Sequence, residues 1–198
     1  MSEKHELLIS TRNAHKTGEV RKILGDGFQV HDLASAPSVG EVEETGDTFE
    51  ENATLKSVAA SLVVEGWVIA DDSGLEVDAL GGAPGVYSAR FAGPSANDTD
   101  NKALLIKKLE GVRGKDRSAR FRCVIVLTRA GRKLAAFDGT VEGIIANAPR
   151  GSGGFGYDPL FIPDGHCSTF ADLPPETKNQ ISHRAKALEK LKAWRGWF

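Results

Sequence analysis

A chain of 198 residues has the length of one ordinary domain, enough to bury a single large core. Its composition, 40% hydrophobic and 26% charged with three Trp, excludes a disordered or fibrous chain. A formal net charge of -2 lacks the basic surplus of a protein that grips a phosphate backbone, so nucleic acid is not the expected partner.

The first elements read as a short buried strand at Glu6–Ser10 and a helix at Ala14–Leu24 with Val20, Ile23 and Leu24 on one face. Gly25 to Gly27 break the helix, and Phe28–Leu33 follows as a second strand, an opening of βαβ style. The opening residues Met1 to Glu6 are polar and acidic, unlike a secretory signal. After an acidic loop, Glu41–Asp47, Thr48-Phe49-Glu50-Glu51 has the pattern of a capping box, in which hydroxyl and carboxylate satisfy amides at a helix start. That helix is expected to reach about Glu65, with Leu55, Ala59, Leu62 and Val63 as its apolar face and Lys56 and Glu44 toward the rim. Trp67–Ala70 is an apolar strand that leads into Asp71-Asp72-Ser73-Gly74, and a glycine-rich stretch follows from Gly81 to Gly93.

A second amphipathic helix is predicted over about Thr99–Glu110, then an alternating strand over Ala119–Leu127. A turn at Ala130-Gly131 returns the chain as Lys133–Ile145, which makes a long hairpin and hence a mixed sheet. Gly151–Pro159 reads as a loop, and Ser182 can cap a last helix carrying Ala187, Leu188, Leu191 and Trp194. With no repeat and no low-complexity linker, residues 1–198 are expected to form a single domain. No apolar run approaches the roughly 20 residues of a membrane helix, so no membrane partner is expected. Two cysteines, Cys123 and Cys167, are too few for a disulfide framework and fit a reducing, cytoplasmic compartment.

Several stretches could carry chemistry. Thr11-Arg12-Asn13-Ala14-His15-Lys16 sits between a strand and a helix, where helix-start amides and the Lys16 charge favour a bound phosphate; a plain turn capped by Asn13 or Thr11 is the other reading. It lacks the P-loop arrangement. Asp71 and Asp72 follow a buried strand, and like charges in a poorly solvated crevice need a cation. Magnesium, which takes one or two protein carboxylates and keeps several waters, answers that need; a solvated turn is the alternative. The acidic run from Glu41 to Glu51 is by default a solvated face in which one member can be a metal ligand.

Gly151-Ser152-Gly153-Gly154-Phe155-Gly156 matches a dinucleotide fingerprint, but Tyr157-Asp158-Pro159 stands where a helix should begin, so no NAD is implied. Such a loop can instead lay Phe155 against a base, or plug the core with it. Lys178 and Ser182-His183-Arg184 supply donors near the last helix, or simply an exposed basic start to it. His5, His15, His31 and His166 show no metal-ligand spacing.

Taken in order, Thr11-x-Asn13-x-x-Lys16, Glu44-Thr45-Gly46-x-Thr48-Phe49-x-x-Asn52-Ala53, Ala70-Asp71-Asp72-Ser73-Gly74, Gly81-Gly82-x-Pro84-Gly85-Val86-Tyr87-Ser88-Ala89-Arg90, Phe155-Gly156-Tyr157-Asp158-Pro159 and Ser182-His183-Arg184 resemble the inosine triphosphate pyrophosphatase family. The resemblance runs from about Leu7 to Leu191. It implies an α/β fold, a long, mixed, twisted β-sheet flanked by helices, in two lobes with the active site in the cleft between them.

The resemblance also implies hydrolysis of inosine, deoxyinosine or xanthosine triphosphate to the monophosphate and pyrophosphate, with Mg2+ as cofactor, by a homodimer. Thr11, Arg12, Asn13, Ala14, His15 and Lys16 are implied to hold the triphosphate, with Lys56 and Arg90 as further cations. Glu44 and Asp72 are implied metal ligands, Asp72 also the proton acceptor for water, and Ser73 a substrate contact. Phe155, Gly156, Tyr157, Asp158, Lys178, His183 and Arg184 are implied to form the base pocket. Arg12 stands where many members have Gly, and His15 where a small residue is usual, so the detail of the phosphate loop stays open.

Overall fold

The computed structural model describes residues 4–197; of the polar opening Met1 to Glu6, read above as unlike a signal, the first three residues lie outside them. Its elements in chain order are β1 (His5–Ile9), α1 (Ala14–Leu24), β2 (Phe28–Asp32), α2 (Phe49–Ser61), β3 (Trp67–Val77), α3 (Asp98–Lys108), β4 (Ser118–Arg129), β5 (Arg132–Ile145), β6 (Phe161–Pro163), α4 (Pro175–Ile181) and α5 (His183–Lys192). The six strands form one mixed α/β sheet in the order β2-β1-β3-β4-β5-β6. β1 pairs parallel to β2 and β3, with Leu7 opposite Val30 and Trp67, and β5 pairs antiparallel to β6.

The chain divides into two compact units, Met1–Asp72 with Cys123–Gly139 and Arg184–Phe198, and Ser73–Arg122 with Thr140–His183. In the first unit, strand alternation gives each face of the sheet its own core. Leu7, Ile9, Ile69, Cys123, Ile125 and Leu127 pack against Val20 and Leu24 of α1 and Ala187, Leu188 and Leu191 of α5. Leu8 and Val68 point the other way and pack with Ala60 of α2, Leu33, Ala36 and Val39.

Helix α2 departs from its predicted form. It starts where expected, with Thr48 and Glu51 closing the capping box, but it ends at Ser61 and buries the opposite face. Leu55 and Leu62 are 38% and 71% exposed, whereas Phe49, Asn52, Ala53, Ser57, Ala60 and Ser61 are buried. Small residues let the helix lie close to the sheet, and the hydroxyls bury without penalty because they donate to local carbonyls, Ser57 to Thr54 and Ser61 to Val58. The Ser61 hydroxyl also accepts from the Gly131 amide in the β4–β5 turn. That turn has positive φ at both residues, 49° at Ala130 and 73° at Gly131, the twist a two-residue hairpin demands.

β3 also differs from expectation: Asp71, Asp72, Ser73 and Gly74 lie within the strand rather than in a turn after it. The strand continues because Leu75 and Val77, fully buried, extend the same alternation into the second unit's core. β6 and α4 were not foreseen; three residues are too few to show a period, although Pro175 at a first helical position was a start signal.

In the second unit Leu75, Val77, Ala119, Phe121, Phe161 and Phe170 pack with Leu105 and Leu109 of α3. The other face carries charge, with Arg120 bridging Asp78 and Glu142, and Arg122 meeting Glu76. Arg117 is buried, and its guanidinium donates to the carbonyls of Leu109, Val112, Ile145 and Ala146, so one side chain ties the end of α3 to the end of β5. Removing those donors strands several buried acceptors. Arg117→Ala is therefore expected to lower stability by about 3 kcal/mol, read as a reduced urea midpoint; an unchanged midpoint overturns this account.

Candidate active site

Two sets of residues that the sequence singled out are each brought together, one within each unit. In the first unit β1 ends at Ile9 and α1 begins at Ala14, with Asn13 as its N-cap. The Asn13 side chain accepts the amides of His15 and Lys16, and Thr11 Oγ1 accepts that of Asn13. Two helix-start amides expected for phosphate are thus held by the cap, and the loop's positive character rests more on side chains. Arg12, Asn13, Ala14 and His15 are exposed, while Thr11 and Lys16 are half-buried. Arg12, left open above, donates to the Val39 carbonyl at 3.0 Å.

Asp71 is the buried centre of this set, 2% exposed. Lys16 Nζ lies 3.0 Å from its Oδ1, and Arg184 donates to its Oδ2 from Nε at 3.2 Å and Nη2 at 2.8 Å. Burial alone raises a carboxyl pKa, but Lys16, Arg184 and Lys56 override it and hold Asp71 well below the usual carboxylate range. Arg184, 1% exposed, donates also to Glu19. Despite its burial, those two carboxylates hold its pKa above the ordinary guanidinium value.

Asp72 meets different partners. Lys56 Nζ lies 3.3 Å from its Oδ1 and donates to Glu44 Oε1 at 2.7 Å, so one ammonium joins two carboxylates. Burial first, then the Glu44 charge, raises the Asp72 pKa against the pull of Lys56. Lys56 is itself held charged by Asp72 and Glu44 against the effect of burial. Glu44 is half-buried, whereas Glu41, Glu43, Asp47, Glu50 and Glu51 are exposed. Asn52, a buried residue not singled out for a role, accepts the Gly46 amide at 2.8 Å and so fixes the loop that carries Glu44.

The donor chemistry here suits a hard divalent cation. Asp72 Oδ2 is buried with no hydrogen-bond partner among the described residues, an arrangement that costs free energy unless a donor or cation completes it. Among the described residues no group of three or more His, Cys, Asp or Glu side chains is placed to hold a metal. A cation at Glu44 and Asp72 therefore needs oxygens from water or substrate, the habit of magnesium in phosphate chemistry.

In the second unit, the Gly151–Pro159 loop is organised by Asp158. Its buried Oδ2 accepts from Lys178 Nζ at 2.6 Å and from the Phe155 amide at 2.9 Å. Gly154, at φ 70°, has no room for a side chain: a Cβ would lie 2.1 Å from Asp158 Oδ2. The Lys178 ammonium stands 5.1 Å from the Phe155 ring centre. Tyr157 is buried and its hydroxyl donates to the Ser88 carbonyl at 2.9 Å. His183 stacks on Phe121 at 4.8 Å, and Arg90 lies over Tyr87 at 5.2 Å. Ser73, half-buried, opens the β3 segment of this unit.

A family model described as the Ham1 family matches residues 7–194. The chain belongs to the Ham1 family. It is 52% identical over 187 residues to the dITP/XTP pyrophosphatase of Geobacillus kaustophilus, covering 94% of this chain and 92% of the relative. With the dITP/XTP pyrophosphatase of Bacillus subtilis it shares 48% identity over 187 residues, 94% of either chain. Among solved structures it is similar to the Ham1 protein of Staphylococcus aureus, with a TM-score of 0.83 and 44% identity over 95% of this chain and 96% of that one. A HAM1 protein from Coxiella burnetii gives 0.85 and 41% over 96% and 97%. The family read from six separated motifs, and its mixed α/β fold, are thus borne out.

Within this Ham1 family chain, Arg184 pairs with Asp71 and Glu19 of the first unit. Glu19 was missed because it is one turn beyond Lys16 on α1, outside every motif; its helical spacing was the available signal. Asp71→Asn leaves Arg184 buried with less counter-charge and is expected to cost about 3 kcal/mol of stability, seen as a lower thermal midpoint, while Asp72→Asn is expected to shift it little. Equal shifts in the two variants contradict this division. Cys123 is buried beneath Asp71, and burial with that charge pushes its thiol up to about 12, whereas Cys167 is exposed. Iodoacetamide on the native protein is therefore expected to label Cys167 alone at neutral pH, and Cys123 only after denaturation.

Proposed function

We propose that this chain hydrolyses noncanonical purine nucleoside triphosphates, ITP, dITP and XTP, to the monophosphate and pyrophosphate. The observation that carries the reading is a buried carboxylate, Asp72, which shares Lys56 with Glu44 and keeps one oxygen without a donor among the described residues. The relatives' name, dITP/XTP pyrophosphatase, points to the same reaction.

In this reading Glu44 and Asp72 would hold magnesium, which would supply Lewis-acid polarisation of the phosphate oxygens. Asp72 accepts the proton of the attacking water on a carboxylate oxygen, and burial, by raising its proton affinity, suits it to the task. The water oxygen bonds the α-phosphorus, the bond from that phosphorus to the bridging oxygen breaks, and pyrophosphate leaves with the bridging oxygen. Thr11, Arg12, Asn13, Ala14 and His15 line the phosphates, Ser73 contacts substrate, and Lys16, Lys56 and Arg90 oppose the charge that develops on the leaving group.

Base selectivity follows from the Asp158–Lys178 pair. A 6-oxopurine presents an acceptor at O6 and a donor at N1; Lys178 offers the matching donor and Asp158 the matching acceptor. Adenine reverses both groups and leaves a buried pair unanswered, which can reject it by about 10⁴-fold. Phe155 offers its face to the ring, Gly156 and Tyr157 shape the loop, and His183 completes the pocket from its stack on Phe121. Because the Arg184 guanidinium also serves Asp71 and Glu19, Lys178 takes the lead at O6.

We place the enzyme in the cytoplasm as a homodimer that clears such nucleotides from the pool. The motif resemblance supports this, and no helix of the described residues is long and apolar enough to cross a membrane. Pyrophosphate release is expected only with magnesium, from inosine and xanthosine triphosphates, and far more slowly from adenosine triphosphate, whose base edge is reversed, and from guanosine triphosphate, whose rejection requires the pocket to exclude the 2-amino group as well. Asp72→Asn is expected to lower turnover by about 10²- to 10⁴-fold with the fold intact. Equal turnover of all four nucleotides sinks the base assignment, and near-normal turnover in Asp72→Asn removes that residue from the chemistry.

A further inference from the structure

Helix α3 carries none of the groups assigned to substrate, yet two of its side chains hold segments that do. Asn101 is 2% exposed. Its Nδ2 donates to the Ala89 carbonyl at 3.0 Å and its Oδ1 accepts the Ala92 amide at 2.8 Å, so one amide group bridges the backbone on both sides of Arg90. Only a carboxamide presents a donor and an acceptor side by side at that reach. Asp98, at the start of the same helix, accepts the Gly156 amide at 2.7 Å and so holds the backbone between Phe155 and Asp158.

These two anchors are three positions apart and therefore lie on one face of the helix. The helix is itself well fixed, its start closed by a capping box of Asn97 and Asp100 and its far end sunk into the core by Leu105 and Leu109. The anchored segments, a short 3₁₀ turn and a glycine-rich loop, lie outside the sheet ladder and are joined directly by one side chain, the Tyr157 hydroxyl donating to the Ser88 carbonyl. α3 adds a second tie between them, through Asn101 on one segment and Asp98 on the other.

We propose that Asn101 and Asp98 are positioning residues, which use α3 as a rigid bar to fix Arg90 relative to the base loop. This rests on the reading of Arg90 and Phe155–Asp158 as substrate contacts. A shift of about 1 Å in such a contact can cost about 100-fold in rate, so backbone anchors at this distance from the chemistry have a measurable share in it. The Asn101 anchor serves the phosphate end and acts alike on every nucleotide. The Asp98 anchor serves the base end and acts on selectivity.

The test uses the full chain and the variants Asn101→Ala, Asp98→Ala, Asp98→Asn and Arg90→Ala, with inosine and adenosine triphosphates as substrates. Asn101→Ala is expected to lower kcat/KM at least about tenfold for both nucleotides alike, and to add little in an Arg90→Ala background, because groups that act through one another are not additive. Asp98→Ala is expected to raise KM for inosine triphosphate and shrink its preference over adenosine triphosphate, and Asp98→Asn, which keeps an acceptor oxygen, to restore most of both. If Asn101→Ala also lowers the thermal midpoint, the cycle is read at a temperature well below every variant's midpoint, so that each protein in it is folded.

An equal loss from the Asn101 change with and without Arg90 overturns the Asn101 half, since it marks a general structural role. An unchanged preference in Asp98→Ala overturns the Asp98 half. A wild-type chain that turns over both nucleotides equally overturns the base-pocket reading itself, and the Asp98 half with it, while the Asn101 cycle still decides the other half.

Discussion

One buried carboxylate organises the first unit. Asp71 draws Lys16 from α1 and Arg184 from the start of α5 onto a single strand position, and Arg184 reaches on to Glu19. A carboxylate out of water is costly unless cations and donors surround it. Meeting that demand fixes where the loop between β1 and α1, the middle of β3 and the last helix stand. The charges hold one another in place: the cations keep Asp71 ionised, and the carboxylates keep Arg184 protonated.

The neighbouring acid has the opposite fate because of strand geometry. Successive residues of β3 leave on opposite faces. Asp71 follows Ile69 toward α1 and α5, and Asp72 follows Val68 toward α2, where it meets Lys56 and Glu44. Two identical side chains, adjacent in sequence, thus become a carboxylate held by two cations, Lys16 and Arg184, and one that shares Lys56 with Glu44 and keeps Oδ2 without a hydrogen-bond partner among the described residues. α2 supports this by presenting a close-packed face of Ala and Ser to the sheet, which brings Lys56 near β3, and by using Asn52 to hold the Glu44 loop.

A related economy governs the second unit. Asp158 receives Lys178 and the Phe155 amide together, Tyr157 reaches the Ser88 carbonyl, and Asp98 takes the Gly156 amide. The glycine-rich loop is therefore ordered by its own Asp158 and Tyr157 together with Lys178 and Asp98 from outside it, and its glycines supply the close approach those contacts need, as at Gly154.

The sequence by itself determined the family, the mixed α/β class and most elements, since helix caps, strand alternation and turn residues are local signals: α1 and the Thr48 capping box are found where they were expected. It also singled out the residues gathered around Asp72 and Asp158, because motifs keep chemical groups at fixed spacing. What only the tertiary structure decided was burial and partnership. The apolar stripe of Leu55, Leu62 and Val63 faces solvent, since close packing of a helix on a sheet selects small residues over greasy ones. Arg184 serves Asp71, and Asn101 and Asp98 serve segments far along the chain. Such pairings follow from the free energy of satisfying buried charges and backbone groups, which acts through space, and no periodicity along the chain records them.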